Sequence, residues 1–181
     1  MKALGWTRLG LVMLAVLVVH LGVTPNLPVG GVSAELPLGL VIAAGLTGGV
    51  ERGGIFGFVF GFVLDLFLFT PVGMSALVFG VIGWLAGHVF MDRIEESPLI
   101  SAMTIGAGTA VGLLSFVAVG IALGESSLRE SPIGRIVLIA SLMNAVAAFA
   151  LMLASNWMWA SDPLGERGSR ERALRERTVR A

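Results

Sequence analysis

The chain has 181 residues, twelve basic and twelve acidic side chains and no formal net charge; 56% of it is apolar and only 13% charged. Soluble domains are about a quarter charged, and here the shortfall is also spatial: between Gly53 and Phe90 the only charged residue is Asp65, and between Pro98 and Leu123 there is none. Soluble helices must show one face to water, so a soluble enzyme, a nucleic-acid binder and a disordered chain are excluded, leaving an all-α, polytopic integral membrane protein.

The predicted elements run in chain order as follows. An apolar stretch after Lys2 and Arg8 resembles a signal peptide, but the small-residue site Val32-Ser33-Ala34 lies too far beyond it for ordinary cleavage, so it reads as an uncleaved first helix over about Trp6–Val23. Pro25, Pro28, Gly30, Gly31 and Pro37 break it into an extended loop. A short, glycine-punctuated second helix covers Leu36–Val50 and ends at Glu51 and Arg52. The third covers Gly53–Phe69, the fourth Val72–Phe90, the fifth Leu99–Gly124 and the sixth Ile133–Ala160, with polar loops over Met91–Pro98 and Glu125–Pro132. Residues 1–160 thus read as a transmembrane domain of six helices, and 161–181 as a charged tail.

Six spans place both termini on one side. With that side cytoplasmic, Lys2, Arg8, Arg52, Arg93 and the tail arginines lie inside, and only Arg129 and Arg135 lie outside. That is the asymmetry of the positive-inside rule, and it also puts Trp6, Trp157 and Trp159 at the inner interface, as an aromatic belt requires. The expected location is a cell membrane, multi-pass, with both termini cytoplasmic.

The segment Gly53–Leu77 carries most information. Gly54, Gly57, Gly61 and Asp65 recur at helical spacing on one face, and Gly57-x-x-x-Gly61 lets another backbone approach closely. An ionisable residue within a span costs roughly 3 kcal/mol or more and faces protein or water. Asp65 is therefore expected to hold a neighbouring helix or a partner by hydrogen bonds, with pairing to Arg135 and a proton or ligand site as the other readings. Asn144, with Ser141 and Ala148 on its face, reads as a hydrogen-bonding contact between helices. His20 and His88, near helix ends, read as interfacial or packed. The tail arginines Arg167, Arg170, Arg172 and Arg175, interleaved with Glu166, Glu171 and Glu176, read as a solvated anchor able to meet anionic lipid or a cytoplasmic partner.

Gly57-Phe58, Gly61, Asp65-Leu66, Pro71, Gly73 and Ala76-Leu77 together resemble the bacterial rod-shape-determining MreD family, in which a Gly-Phe-x-x-Gly helix reaches Asp-Leu and a Pro-x-Gly turn opens the next helix. Gly83 and Gly87 fit the same pattern, and Glu35-Leu36-Pro37 is loosely similar to the family's acidic segment before its second helix. The resemblance implies a fold similar to the substrate-binding S-components of vitamin transporters. It also implies a non-enzymatic scaffold in the bacterial cytoplasmic membrane, beside the bitopic protein MreC, coupling MreB filaments to the polymerase and transpeptidase that build peptidoglycan in cell elongation. The residues expected to serve interaction or close helix packing are Gly54, Gly57, Gly61, Asp65, Pro71 and Gly73.

Enzymatic chemistry has little support in the sequence. There is no His-Glu-x-x-His and no phosphate-binding Gly-x-x-x-x-Gly-Lys-Ser/Thr pattern, and one intramembrane acid gives no acid–base pair. With no cysteine, thiolate and disulfide chemistry is excluded, and two histidines cannot alone build a metal centre, so no cofactor is expected. The rival expectation is a small-molecule binding subunit of an uptake transporter, which needs a polar cavity built from the few available groups: Asp65, Ser75, Ser101, Thr104, Thr109, Ser115, Ser141 and Asn144.

Overall fold

A computed structural model describes residues 2–68, 71–90, 97–124 and 132–160. Among the described residues six α-helices follow one another: α1 Lys2–Gly22, α2 Leu36–Gly48, α3 Val50–Asp65, α4 Met74–Phe90, α5 Pro98–Ala122 and α6 Ile133–Trp159. A short 3₁₀ turn at Thr24–Asn26 follows α1, and an isolated bridge joins Val29 to Val32. The chain is all-helical among the described residues. Gly5–Asn26, Pro98–Ala122 and Ile133–Trp159 are long and apolar enough to cross a membrane, while α2 and most of α4 are shorter apolar helices.

At the centre of the bundle is α2. Every residue from Pro37 to Leu46 is buried, and each of the other five helices touches it. Thirteen residues reach only about 20 Å at the helical rise, well short of a hydrocarbon core of about 30 Å. Its length is explained by its enclosure: wrapped by protein, it has no lipid face to match. Glycines let the neighbours in. A Cβ on Gly39 would meet Leu151 Cδ1 at 2.8 Å, and one on Gly48 would meet the Trp159 indole at 2.7 Å.

The widest contact in the bundle is between α3 and α4. At one end of this pair, Gly45, Gly53, Gly83 and Gly87 bring α2, α3 and α4 to backbone contact. A Cβ on Gly53 would lie 2.5 Å from Gly45 Cα, and one on Gly87 would lie 2.5 Å from the Gly49 carbonyl carbon. Gly49 itself, at φ +86°, turns the chain from α2 directly into α3. For that reason Glu51 and Arg52 fold into the first turn of α3 instead of terminating the preceding helix. The third helix accordingly starts at Val50 and stops at Asp65, earlier at both ends than the sequence suggests. The other helix ends lie within a few residues of expectation, except that α1 begins at Lys2.

Phe56 and Phe60 point into the core with Phe56 edge-on to Trp159, whereas Phe58, Phe62 and Phe67 are exposed on the outer side. Val146 and Phe149 on α6 and Trp6 on α1 are likewise exposed. Apolar side chains displayed on the outside of an apolar bundle are what lipid contact requires, and the chain is membrane-embedded.

Candidate interaction site on the α3–α4 hairpin

Asp65 closes α3 and holds the start of α4. It is 1% exposed. Its Oδ2 accepts from the backbone N–H groups of Gly73 at 2.8 Å, Ser75 at 3.1 Å and Ala76 at 3.3 Å, and Oδ1 accepts from Ser75 N–H at 3.1 Å. These are among the N–H groups that a helix start leaves without an intrahelical partner, and they sit at the positive end of the helix dipole. The acid therefore caps a helix to which it does not belong. Gly73, at φ +97°, gives the turn before α4 a conformation that side-chain-bearing residues rarely adopt, and Pro71 precedes it on the exposed loop. The pairing of Asp65 with Arg135 is not formed. The Arg135 guanidinium donates instead to the carbonyl oxygen of Gly30, because α6 starts beside the loop that follows α1.

The glycine stripe is occupied from within the chain. A Cβ on Gly57 would lie 2.7 Å from the Phe79 carbonyl carbon and 2.9 Å from Val41 Cγ1, and one on Gly61 would lie 2.5 Å from the Ser75 carbonyl carbon. Both residues are buried and α4 fills this face, so the stripe serves close helix packing within the chain, and backbone-to-backbone contact is what the missing side chains permit. Gly54, one turn earlier, is different. It is only partly buried, and a Cβ there would make ordinary contact, 3.4 Å from Trp84 Cβ. Gly80 opposite it is equally open, with Phe58 Cβ at 3.4 Å from a Cβ built there.

Gly54 and Gly80 form the floor of a shallow groove of about 630 Å³ between α3 and α4. Its walls are Ile55, Phe58, Leu77, Val81 and Trp84, all exposed to about half or more of their surface. Glu51 lies at one end and is exposed. Near the same end His88 stacks flat on Trp84 with ring centroids 5.3 Å apart. The sequence signals for this groove were Gly80 and Trp84, which a reading focused on α3 leaves out.

A second polar group of residues lies where α1, α5 and α6 meet the N-terminus of α2. Asn144, fully buried, donates both amide hydrogens: to the Glu35 carbonyl oxygen at 2.7 Å and to Thr109 Oγ1 at 3.0 Å. Thr109 in turn donates to Ile105 O at 2.8 Å. His20 Nε2 is 4.0 Å from Glu35 Oε2. Asn144 is thus the interhelical contact its sequence context suggested, and Glu35 and His20 are brought together by the connection between α1 and α2, which gave no such sign.

At the opposite end of the bundle, Arg8 lies over the Trp157 ring at 4.9 Å and Arg52 over the Trp159 ring at 5.6 Å. Thr47 Oγ1 and Ser155 Oγ share a hydrogen bond of 2.6 Å there. The tail arginines Arg167, Arg170, Arg172 and Arg175 lie outside the described residues, as do the loops 91–96 and 125–131.

No protein-family model, no curated protein and no solved structure matches the chain.

Proposed function

We propose that the chain is a non-enzymatic membrane scaffold of the bacterial cell-elongation machinery, as its resemblance to the MreD family implies. The observation that carries this reading is the α3–α4 hairpin. The residues of the resemblance from Gly57 to Leu77 fall in one structural unit, Asp65 and Gly73 fasten it, and its lipid-exposed side offers a groove with a glycine floor. A groove of this kind suits a transmembrane helix that packs closely through small residues. Glu51 at its end selects a helix carrying a basic residue at the matching depth, as a bitopic MreC-type partner would supply next to a cytoplasmic segment. Orientation follows from the charge bias: the end bearing Arg8, Glu51, Arg52 and Trp159 is cytoplasmic, as are both termini. The tail arginines then add an electrostatic contact with anionic lipid or a cytoplasmic partner.

The transporter-subunit reading has less support, because two of the polar groups it needs are engaged within the chain. Asn144 uses both amide hydrogens on Glu35 and Thr109, and Asp65 is taken up by the α4 backbone. The test is depletion of the chain in its own host, followed by rescue. Loss of cell elongation, restored by wild type but not by Gly80→Leu at equal membrane abundance, supports the scaffold. Normal shape on depletion, or a small ligand that co-purifies in stoichiometric amount, overturns it.

A further inference from the structure

The groove between α3 and α4 faces outward from a membrane-embedded bundle, and its floor and walls are apolar apart from one side chain. Glu51, in the first turn of α3, lines its end and is exposed. Among the described residues it is the one acid with no hydrogen-bond or ion-pair neighbour: Asp65 takes up the α4 backbone, and Glu35 faces His20 at 4.0 Å. The basic groups nearest this end are turned elsewhere, Arg8 over Trp157 and Arg52 over Trp159, and no basic side chain lines the groove among the described residues. The groove runs from Glu51 to Phe58 on α3 and alongside Leu77 to Trp84 on α4, about 10 Å at the helical rise. One leaflet supplies about half of a hydrocarbon core of about 30 Å. The groove therefore fits within a single leaflet, and Glu51 stands at its headgroup end, level with the Arg and Trp side chains that gather at an interface. A glycine floor leaves room for an acyl chain where side chains would otherwise fill the space.

We propose that, in the chain without a bound partner, this groove holds one phospholipid with a primary-ammonium headgroup of the ethanolamine type. Its acyl chain lies over Gly54 and Gly80, and its ammonium meets the Glu51 carboxylate. Charge complementarity selects the headgroup: an exposed carboxylate at this depth repels an anionic lipid and attracts a cationic group. Trp84 adds to the selection. A Cβ built on Gly54, one turn inward from Glu51, lies 3.4 Å from Trp84 Cβ, so the indole stands beside the ammonium and offers it a cation–π contact. On the scaffold reading this lipid is what a partner's helix displaces. The lipid site itself needs only the groove and Glu51, and the experiment measures the chain alone, so loss of the lipid preference would leave the scaffold reading standing.

The full-length chain, purified and stripped of its native lipid, is given equal amounts of phosphatidylethanolamine and phosphatidylglycerol with identical acyl chains, and retained lipid is read by native mass spectrometry. An ion pair gained and a like-charge contact avoided each amount to a few-fold at an exposed site, so the ethanolamine lipid should be retained about 3- to 10-fold over the glycerol lipid. Glu51→Gln should abolish that preference without lowering the total lipid retained, and Gly80→Leu, which fills the groove, should lose the selective lipid. Equal retention of the two lipids by wild type overturns the proposal. So does a preference that survives Glu51→Gln, which assigns the ammonium to another group, or one that survives Gly80→Leu, which seats the lipid elsewhere. A second copy of the chain held in place of lipid, seen as a dimer that Gly80→Leu abolishes, overturns it as well. Should Gly80→Leu fail to accumulate, a benzophenone amino acid at Leu77 of the purified chain decides, with the exposed α6 position Val146 as control. Adducts at Leu77 must favour the ethanolamine lipid and those at Val146 must not, and the same ratio at both positions refutes the site.

Discussion

Replacing Asp65 separates two accounts of an acid within a membrane helix. Its carboxylate gathers the N–H groups of Gly73, Ser75 and Ala76 in a site that is 1% exposed. Asp65→Leu leaves the buried Ser75 and Ala76 N–H groups and the partly buried Gly73 N–H without their acceptor, and at about 1–3 kcal/mol for each such group the loss is roughly 3–6 kcal/mol once partial relaxation is allowed. Asp65→Asn keeps one oxygen but turns an NH₂ toward the remaining donors and removes the charge at the helix N-terminus. Its cost is about 2–3 kcal/mol, combining a lost charge-assisted bond with the dipole term. Asparagine is thus expected to be intermediate, not a neutral replacement for a residue that only needs to hydrogen-bond. Both costs are large against a net stability of about 5–15 kcal/mol. Thermal unfolding in detergent, followed by tryptophan fluorescence, should rank wild type above Asp65→Asn above Asp65→Leu. A Leu variant as stable as wild type would refute the capping role and leave Asp65 as a residue facing water. Equal collapse of both variants would mean that the charge itself, and not the set of bonds, holds the turn.

Other expected outcomes follow from the same geometry. Gly61→Ala should destabilise the bundle by about 1–3 kcal/mol in the same unfolding assay, because its Cβ meets the α4 backbone and one helix must move. Gly61→Leu should prevent accumulation in the membrane, as quantified by immunoblot. Gly80→Leu, whose side chain enters the open groove, should accumulate normally and lose partner binding in a pull-down. Asn144→Leu removes hydrogen bonds to Glu35 and Thr109 worth about 1 kcal/mol each, and exchange at the Val29 and Val32 amides should speed up as the connection between α1 and α2 loses one tie to α6.

The helical class and the positions of six helices were legible because long apolar runs broken by Pro, Gly and charge leave few other readings. The closeness of α3 to a neighbour was legible in Gly57 and Gly61, since small residues at helical spacing announce backbone approach. Which neighbour it is was not legible. A glycine stripe is the same signal whether the helix that fills it belongs to this chain or to another, and α4 fills it because only eight residues separate its start from the end of α3, with its first turn held by Asp65. Asp65 stood out as an ionisable residue in an apolar helix, yet its partners are backbone N–H groups, which leave no trace in residue identity. Glu35 and His20 were hidden for a related reason, because their meeting depends on how a proline- and glycine-rich loop folds back. The burial of α2 on all sides could be suspected from its length alone, too short to span, but only its five contacting helices explain it.

Photo-crosslinking in native membranes tests the central claim, that the α3–α4 groove receives a partner's transmembrane helix, most directly. A benzophenone amino acid is placed at Leu77 or Trp84 on the groove walls, and at Val146 or Phe149 on α6 as lipid-facing controls. The expected result is an adduct at the groove positions whose peptides, by mass spectrometry, come from the membrane segment of an MreC-type protein, with none from α6. Lipid adducts alone at Leu77 and Trp84, or the same protein captured equally from Val146 and Phe149, would contradict it.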